Sequence, residues 1–474
     1  MRRRALYDSG VDASIERIKG HELIRRGPFA RLWWSQMISS LGDWATLFAT
    51  FSLAANIAGG GSAASLGILV ALVARILPGL LFGVVGGVLA DRWDRKRTML
   101  VSDLGRAVLV LVLAFVGNYR DLFVITFAIE FMSLIRQPVR ESVVPQLIPE
   151  RHLMAANGLN LIATYGTAPL GSALFAFLAS VGGRYLPGSF ANPGLSATFL
   201  FDAVTFLVSA VMIATLAVPG RKLSRERSGQ GRVDLRAPWR DLVQGFHFVA
   251  VYPTVRRMVI GMAAGLFGGG ALFVLGEPFA VSVLGGGTAG YGIVVTALGV
   301  GVGCGMAAMT LWGRLIQRRE PVFAAALLLT GITIVLAGLM GTLAVAAGWV
   351  FVAGLGTGVA YVAGFTHLHA VVTDDIRGRT FAALFSAGRL ALLGSFGLAG
   401  IGAAALDGLL PGVLDNGVRL VILLSGVVIF ASGAGSMWAA RGQLRGDPLD
   451  DESLRTLKDA SDAVAWMRGH RRSG

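Results

Sequence analysis

Residues 87–97 read Gly87-Val-Leu-Ala-Asp91-Arg92-Trp-Asp94-Arg95-Lys96-Arg97. This segment separates two apolar stretches, residues 63–90 and 98–117. Each stretch has about the 20 mostly apolar residues that a helix needs to cross a bilayer. A glycine near the end of one such helix, followed closely by a dense cluster of charges, predicts a tight loop at the membrane surface.

The rest of the chain has the same apolar character as these two stretches. Of its 474 residues, 54% are hydrophobic and only 15% are charged, which is more apolar surface than a soluble core can bury. Twelve crossings at about 20 residues each would use about 240 apolar residues. A β-barrel would show short segments of alternating polarity, whereas these stretches are continuous. The composition therefore predicts a bundle of membrane helices.

We predict an all-α polytopic membrane protein with twelve transmembrane helices in two pseudo-symmetric six-helix bundles. The predicted order is an N-terminal segment (1–30), an N-terminal bundle (31–218), a linker (219–255), a C-terminal bundle (256–440) and a tail (441–474). Within the linker, residues 239–250 have apolar side chains at helical spacing, which predicts an amphipathic helix at the membrane surface or beneath the bundle. The spans are predicted near residues 31–57, 63–90, 98–117, 120–137, 153–182, 195–218, 256–283, 288–313, 321–343, 345–372, 378–406 and 417–440.

The basic residues follow this topology. If the N-terminus is cytoplasmic, 36 Lys and Arg residues lie inside, three lie outside and three lie within spans. Short basic loops are disfavoured on the translocated side, so both termini are predicted to be cytoplasmic. The net charge of +14 then reflects topology, and no nucleic-acid partner is predicted. The three residues outside are Arg120, Arg184 and Arg419, and the three within spans are Arg75, Arg106 and Arg389.

The segment 87–97 resembles the signature loop of the major facilitator superfamily, in which glycine, a variable residue and Leu-Ala-Asp-Arg precede a basic run. Here Asp94 stands where that family usually has glycine. Three further stretches resemble the drug-exporter branch that includes macrolide-efflux and enterobactin-exporter proteins. They are Trp33-Trp34-Ser35-Gln36 with Gly42-Asp43-Trp44, then Arg136-Gln137-Pro138-Val-Arg140 continuing to Pro149, and Phe199-Leu-Phe-Asp202-Ala-Val-Thr205-Phe206.

This resemblance implies a latch at the cytoplasmic gate. A close helix crossing at the glycine lets Asp91 meet the positive end of a neighbouring helix and nearby basic side chains. A solvated loop that serves topology alone is the other reading, but it does not explain the Gly-x-Leu-Ala-Asp order. The C-terminal half has no matching aspartate near Gly313, so its gate is not expected to be equivalent. The latch residues are Gly87, Asp91, Arg92, Asp94, Arg95, Arg97, Arg136, Arg140, Arg377 and Arg379.

Four acidic residues fall within predicted spans: Asp43, Glu130, Asp202 and Glu277. A charge in hydrocarbon is costly, so such acids normally face protein or a water-filled cavity and are functional candidates. Proton exchange needs a carboxyl that holds its proton near neutral pH, which burial favours. Asp43 and Glu130 are our candidates for this role, whereas Asp202 and Glu277 are predicted nearer the outer side. The alternative is that these acids simply bond neighbouring helices.

Two basic residues complete the candidate site, because Arg75 and Arg389 are predicted to pair with these acids or to attract an anionic substrate. Asp103 and Arg106 are predicted to form a local pair. Pro138, Pro145 and Pro149 should each end or bend a helix. No metal site is expected at His367 and His369, since residues two apart on a helix point in different directions.

The resemblance implies a secondary transporter of the bacterial inner membrane, a proton antiporter that exports a small lipophilic drug, siderophore or metabolite by alternating access. Its predicted partners are the small-molecule substrate, protons and the lipid bilayer, and we expect a monomer without cofactors. No phosphate-binding Gly-x-x-x-x-Gly-Lys motif is present. A non-transporting sensor or scaffold stays open as an alternative. A membrane-embedded enzyme is disfavoured, because no catalytic constellation is evident.

Overall fold

The computed structural model describes residues 23–25, 27–61, 63–149, 152–185, 192–216, 249–250, 253–313, 316, 319–371, 374–409 and 417–444. All regular structure in these residues is helical. The predicted linker helix lies almost entirely outside them. The first seven helices are α1 (Pro28–Ile57), α2 (Ala63–Arg92), α3 (Arg95–Leu113), α4 (Tyr119–Leu147), α5 (Leu153–Tyr165), α6 (Ala168–Tyr185) and α7 (Pro193–Ala214).

The remaining helices are α8 (Pro253–Pro278), α9 (Gly287–Trp312), α10 (Arg319–Leu339), α11 (Leu343–Val371), α12 (Asp374–Leu409) and α13 (Gly417–Leu444). A π-helical turn, Phe279–Val283, extends α8. Nine helices in the described residues are long and apolar enough to cross a membrane. The all-α membrane fold is confirmed, whereas the count of twelve spans and the domain boundaries stay predictions.

The predicted fifth span is broken in the structure. Residues 166–167 separate α5 from α6, and the Gly166 amide caps α5 by donating to the Ile162 carbonyl at 2.9 Å. A Trp44 side chain from α1 fixes this break, because its indole N–H donates to the Thr164 carbonyl at 2.8 Å. Counted as one interrupted span, α5 and α6 agree with the predicted order of elements.

The prolines of α4 do not end it where the sequence predicts. Helix α4 continues through Pro138 and Pro145 and ends at Leu147, two residues before Pro149. Each proline lacks an N–H and frees a carbonyl one turn earlier, but neighbouring side chains can compensate this loss in a membrane bundle. Because α4 continues past both prolines, Arg136 and Arg140 lie on the same helix as Glu130, and α4 is about ten residues longer than its predicted span.

Glycines allow α9 and α11 to pack in contact along their backbones. Gly301 and Gly305 of α9 lie against Phe351 and Leu355, while Gly354 and Gly358 of α11 lie against Leu298 and Val302. At each of these four glycines an added Cβ would overlap a backbone carbonyl oxygen of the other helix. Two small-x-x-x-small motifs thus face each other, as is typical of closely packed membrane helices.

We expect Gly305→Val to destabilise the C-terminal half by about 1–3 kcal/mol, because the side chain would push α11 away from α9. The measurement is the midpoint of thermal unfolding in detergent. Gly303→Val is the matched control, since nothing lies within 4 Å of a Cβ at Gly303 on the same helix. Equal midpoints for the two variants would contradict this packing.

The two halves meet at the distal end of the bundle, where α1 ends at Ile57 and α2 begins at Ala63. The Ser65 hydroxyl donates to the Gly400 carbonyl at 3.0 Å, and the Thr296 hydroxyl donates to the Ser172 hydroxyl at 3.2 Å. Gly292 of α9 lies directly against the backbone of α6 at Ala176. These contacts close the distal end.

An aromatic cluster lies beneath these contacts. The Tyr291 ring is 5.9 Å from the rings of both Phe48 and Phe175, edge to face in each case. All three side chains are almost completely buried. Tyr291 belongs to the C-terminal half and the two phenylalanines to the N-terminal half, so this cluster joins the halves.

Candidate functional site

A polar cavity of about 200 Å³ lies in the N-terminal half. It is on the proximal side of the contacts between the halves, towards the end where α1 begins and α4 ends. Its walls come from α1, α2, α3, α4 and the end of α5. They include both acids proposed for proton exchange, Asp43 and Glu130. The lining residues are Gln36, Ser40, Asp43, Trp44, Arg75, Arg106, Glu130, Ser133, Arg136, Gln137, Arg140 and Thr164.

Asp103 of α3 is the centre of the ion-pair network behind this cavity. Its side chain is fully buried, and Oδ1 lies 2.6 Å from Nε of Arg136 and 3.0 Å from Nη2 of Arg106. Oδ2 accepts hydrogen bonds from the Ser209 hydroxyl at 2.7 Å and from Nη2 of Arg136 at 3.3 Å. This carboxylate therefore holds α3, α4 and α7 together.

Arg136 extends the network to α1. Its Nη1 donates to the Gln36 side-chain carbonyl at 2.9 Å, and the Gln36 amide donates to the Ser40 hydroxyl at 2.6 Å. The family resemblance places Arg136 and Arg140 in the latch at the cytoplasmic gate, and this role stays a prediction. In the structure Arg136 is buried in this network, because α4 continues through Pro138, and Arg140 is buried in the cavity wall.

Arg106 connects Asp103 with the cavity. Its Nη1 lies 3.4 Å from Oδ2 of Asp43 and donates to the Ser133 hydroxyl at 3.2 Å. Its guanidinium carbon is 4.0 Å from the centre of the Phe206 ring, an arrangement that favours the cation. The local pair of Asp103 and Arg106 is thus present, and Arg106 also reaches Asp43.

Arg75 and Glu130 form a second ion pair across the cavity. Nη2 of Arg75 is 2.9 Å from Oε1 of Glu130, and both side chains stay partly exposed. The predicted pairing of Arg75 with a span acid agrees with this contact. Arg389 does not join such a pair: it is exposed and makes no ion pair with any described residue.

Asp202 lies closer to Asp43 than the sequence predicted. The α7 helix places its fully buried carboxyl against Gly42, where an added Cβ would be 2.8 Å from the Asp202 Cγ. Asp202 is therefore at the depth of Asp43 rather than nearer the outer side. Only a residue without a side chain fits at position 42.

Glu277 is in the C-terminal half near the distal end of α8. It is 3% exposed and has no ion pair with a described residue. The Tyr291 ring, 3.4 Å from a Cβ at Gly276, packs beside it. Glu277 thus lies next to the aromatic cluster that joins the halves and apart from the cavity.

The loop 87–97 is described only in part. Asp94 caps α3: its carboxylate accepts a hydrogen bond from the Arg97 amide at 2.8 Å. This cap explains why an aspartate can replace the usual glycine, since α3 begins at the next residue. The surroundings of Gly87, Asp91, Arg92, Arg377 and Arg379 lie outside the described part, so their latch role stays a prediction.

Several residues that organise the site carry no clear signal in the sequence. Asp103 was assigned only a local pair, and Gln36 and Ser209 were assigned no role. The spacing of Asp103 and Arg106 was a usable signal. Nothing in the local sequence indicates that Arg136, 33 positions away, completes the same network.

A sequence model of the Major Facilitator Superfamily matches residues 32–395, most of the chain. The chain belongs to the major facilitator superfamily, a family of multi-pass membrane transporters. Its predicted membership is thereby confirmed.

Two relatives match parts of the chain. It is 31% identical over 179 residues to the Uncharacterized MFS-type transporter YfiS of Bacillus subtilis (strain 168), a segment that is 38% of this chain and 40% of the relative. It is 27% identical over 148 residues to Macrolide efflux protein A of Streptococcus pyogenes, 30% of this chain and 34% of the relative. The chain thus spans less than half the length of these two relatives.

The structure is similar to that of a bacterial homologue of the human lysosomal transporter Spinster in an inward-facing, unoccupied conformation. The TM-score is 0.65 at 16% sequence identity, and the match covers 88% of this chain and 97% of the other. At this identity the likeness shows a shared fold. The shared fold therefore covers most of the chain.

Proposed function

We propose that this protein is a proton-coupled exporter of small lipophilic compounds that works by alternating access. The observation that carries the proposal is the cavity of ion-paired acids and arginines on one side of a closed contact between the two halves. Two halves that rock about a central site would alternately open the cavity to either side. The partial likeness to Macrolide efflux protein A supports export.

The conformation of the molecule is the one expected at the start of an export cycle. If both termini are cytoplasmic, as the Lys and Arg distribution predicts, the closed distal end faces outward and the cavity lies on the cytoplasmic side. A substrate would then enter from the cytoplasm. The Asp91 latch, which the family resemblance implies, would close the opposite end after the halves rock.

The cavity also supports the choice of substrate class. Trp44 lines it and provides an aromatic surface for a flat lipophilic molecule. Asp43 and Glu130 are partly exposed in it, at 31% and 19% of their side-chain surface. We propose that both carboxylates couple proton movement to substrate movement, because a positive charge that enters the cavity competes with the arginine partners for these carboxylates.

Inverted membrane vesicles with an imposed proton gradient test this function. We expect gradient-dependent accumulation of erythromycin, ethidium or another lipophilic compound from a screened panel, and its loss when a protonophore is added. Asp43→Asn and Glu130→Gln should each lower accumulation, because acids within membrane spans mark ion and substrate pathways. Asp121→Asn is the control, because Asp121 is exposed at the distal start of α4.

Two results would count against the proposal. Gradient-dependent accumulation that is unchanged in both cavity variants would contradict the role of Asp43 and Glu130. Binding of compounds without any accumulation by the parent protein would favour a sensor or scaffold on the same fold.

A further inference from the structure

Arg389 of α12 is a cation without a counter-charge among the described residues. It is exposed, and it forms none of the ion pairs of the described part of the chain. It lies within the apolar segment Ser386–Asp407, which is long enough to cross a membrane. Basic residues within such segments are costly and normally face a cavity or a partner. The direction in which Arg389 points therefore decides what it can bind.

The geometry of α12 directs Arg389 towards the N-terminal half. Gly400 follows about three helical turns later, so Gly400 and Arg389 share one face of the helix. This face contacts α2 at Gly400, whose carbonyl accepts a hydrogen bond from the Ser65 hydroxyl at 3.0 Å. Leu398 lies about two and a half turns from Arg389, on the opposite face, and is 65% exposed, as expected of a side chain in lipid. Arg389 thus points away from the lipid.

Helices α2 and α12 separate between the level of Gly400 and the level of Arg389. At Gly400 the two helices touch, because an added Cβ would be 3.4 Å from the Leu69 Cβ, and Phe396 next to it is buried. About 15 Å closer to the proximal end, Gly79 of α2 has nothing within 4 Å of an added Cβ. Arg389 is exposed at about this level. It therefore faces the proximal opening between the two halves.

The helices around Arg389 offer it no acid at this level. Helices α2, α8 and α13 pack against α12, and α8 does so where Gly270 meets Ser395. Counted along the helix axes, every acid of these four helices is about 18 Å or more from the level of Arg389, beyond the reach of its side chain. These acids are Asp91, Glu277, Asp374, Asp375 and Asp407.

The acids around the N-terminal cavity already have other partners. Asp202 accepts a hydrogen bond from the Thr205 hydroxyl at 2.8 Å, and Glu141 accepts one from the Gln137 amide at 3.2 Å. None of the acids forms an ion pair with Arg389, which is therefore available to an anion that enters the opening. The remaining acids, Asp43, Asp103 and Glu130, form ion pairs with arginines of the same half.

We propose that Arg389 binds an anionic group of the ligand, a carboxylate, sulfonate or phosphate, which enters from the proximal side. Such groups accept two parallel hydrogen bonds from a guanidinium, which makes the pair strong. The anionic end binds the C-terminal half, and the lipophilic part extends towards the N-terminal half. A ligand that contacts both halves favours the state in which they are close. This inference rests on the proposed exporter function and adds an anionic group to its substrate.

The direction of Arg389 can be tested without a ligand. In a Cys304→Ser background, Arg389→Cys in inverted vesicles should react with a membrane-impermeant, negatively charged thiosulfonate, because position 389 faces the proximal opening. Leu398→Cys is the matched control on the same helix and should stay unreactive in the lipid. Equal reactivity at the two positions, or reaction at position 398 alone, would overturn this placement.

The binding role is tested with two probes that differ in one charge, 1-pyrenebutanoate and 1-pyrenebutanol. In nanodiscs of phosphatidylcholine, Arg389→Gln should bind the anion about tenfold or more weakly than the wild-type protein, the scale of a hydrogen bond to a charged group. Both proteins should bind the alcohol equally, which also shows that the variant is folded. Arg389→Lys should recover only part of the affinity, because an ammonium lacks the planar fork of a guanidinium.

The control for general electrostatics is Arg120→Gln, which removes an exposed arginine at the distal start of α4 and should bind both probes like the wild-type protein. Three results would overturn the inference. They are no binding of the anion by the wild-type protein, the same loss of anion binding in Arg120→Gln, and equal weakening of both probes in Arg389→Gln.

Two arms distinguish a transported anion from the headgroup of an anionic lipid, which has the same chemistry. Inverted vesicles of the wild-type protein should accumulate 1-pyrenebutanoate under a proton gradient, and Arg389→Gln should accumulate less. If instead phosphatidylglycerol in the nanodiscs lowers anion binding by the wild-type protein to the level of Arg389→Gln, and no anion accumulates, the site belongs to a lipid. That result would overturn the addition of an anionic group to the substrate.

Binding requires no transport step, so the two proposals can fail separately. Gradient-dependent accumulation of neutral compounds by a protein that binds both probes without need of Arg389 would overturn this inference alone. Anion binding that depends on Arg389, without gradient-dependent accumulation of any compound, would contradict the exporter function alone.

Discussion

Replacement of Asp103 by asparagine should destabilise the protein by about 3–5 kcal/mol, the cost of removing one partner from a buried ion pair. The Arg106 and Arg136 guanidinium groups would stay buried, at 3% and 4% exposure, without the carboxylate that lies 3.0 and 2.6 Å from them. The measurement is the free energy of unfolding in detergent, or the thermal midpoint where unfolding is irreversible.

Two further variants separate the charge effect from loss of a hydrogen bond. Ser209→Ala removes one donor from Asp103 and leaves both arginines paired, so it should cost about 0.5–1.5 kcal/mol. Adding Arg136→Gln to Asp103→Asn removes one of the stranded cations and should restore part of the stability. An Asp103→Asn protein as stable as the Ser209→Ala protein would contradict the central role of Asp103.

The same substitution at Asp202 provides a comparison for the stability loss expected at Asp103. Both carboxyls are fully buried, yet Asp103 faces two arginines and Asp202 faces hydroxyls. The same change to asparagine should therefore be severe at Asp103 and mild at Asp202. Equal losses at the two positions would mean that both acids are ionised in the folded protein.

Much of the fold could be predicted from the sequence, because its signals are local and repeated. Apolar length determines which stretches can cross a membrane, and the loop 87–97 identifies the family. The pair of Asp103 and Arg106 is also local, since residues three apart lie on the same helix face. Such features need no knowledge of which helices become neighbours.

The arrangement of the site depends on contacts between distant helices, and sequence patterns do not contain them. Gly42 looks like any glycine of a membrane helix until α7 places Asp202 against it. Arg136 looks like the last turn of a helix, because Pro138 predicts an end to α4. The helix continues, and its position relative to α3 brings Arg136 to Asp103. Both contacts depend on tertiary packing and not on residue type.

The distal contact provides the prediction with the largest effect on transport. Gly292→Leu should prevent the closed distal end from forming, because the side chain would overlap the α6 backbone at Ala176. Overpacking of this kind costs about 1–3 kcal/mol, which corresponds to about a 5- to 150-fold shift in the populations of the two end states. Since export needs both states, gradient-driven accumulation should fall by about the same factor.

The reactivity of a cysteine at the distal interface shows whether the loss of transport comes from a distal end that no longer closes. In a Cys304→Ser background, Ser172→Cys is buried at the distal contact and should react slowly with a membrane-impermeant maleimide. Adding Gly292→Leu should accelerate this reaction, whereas Gly303→Leu, on the same helix with open space around it, should not. Gly292→Leu that lowers accumulation and leaves Ser172→Cys unreactive would show that the halves still close, and the loss of transport would then need another cause. Because both sides of the protein are accessible in detergent, binding of a transported compound should survive in Gly292→Leu, which separates a blocked conformational change from a damaged site.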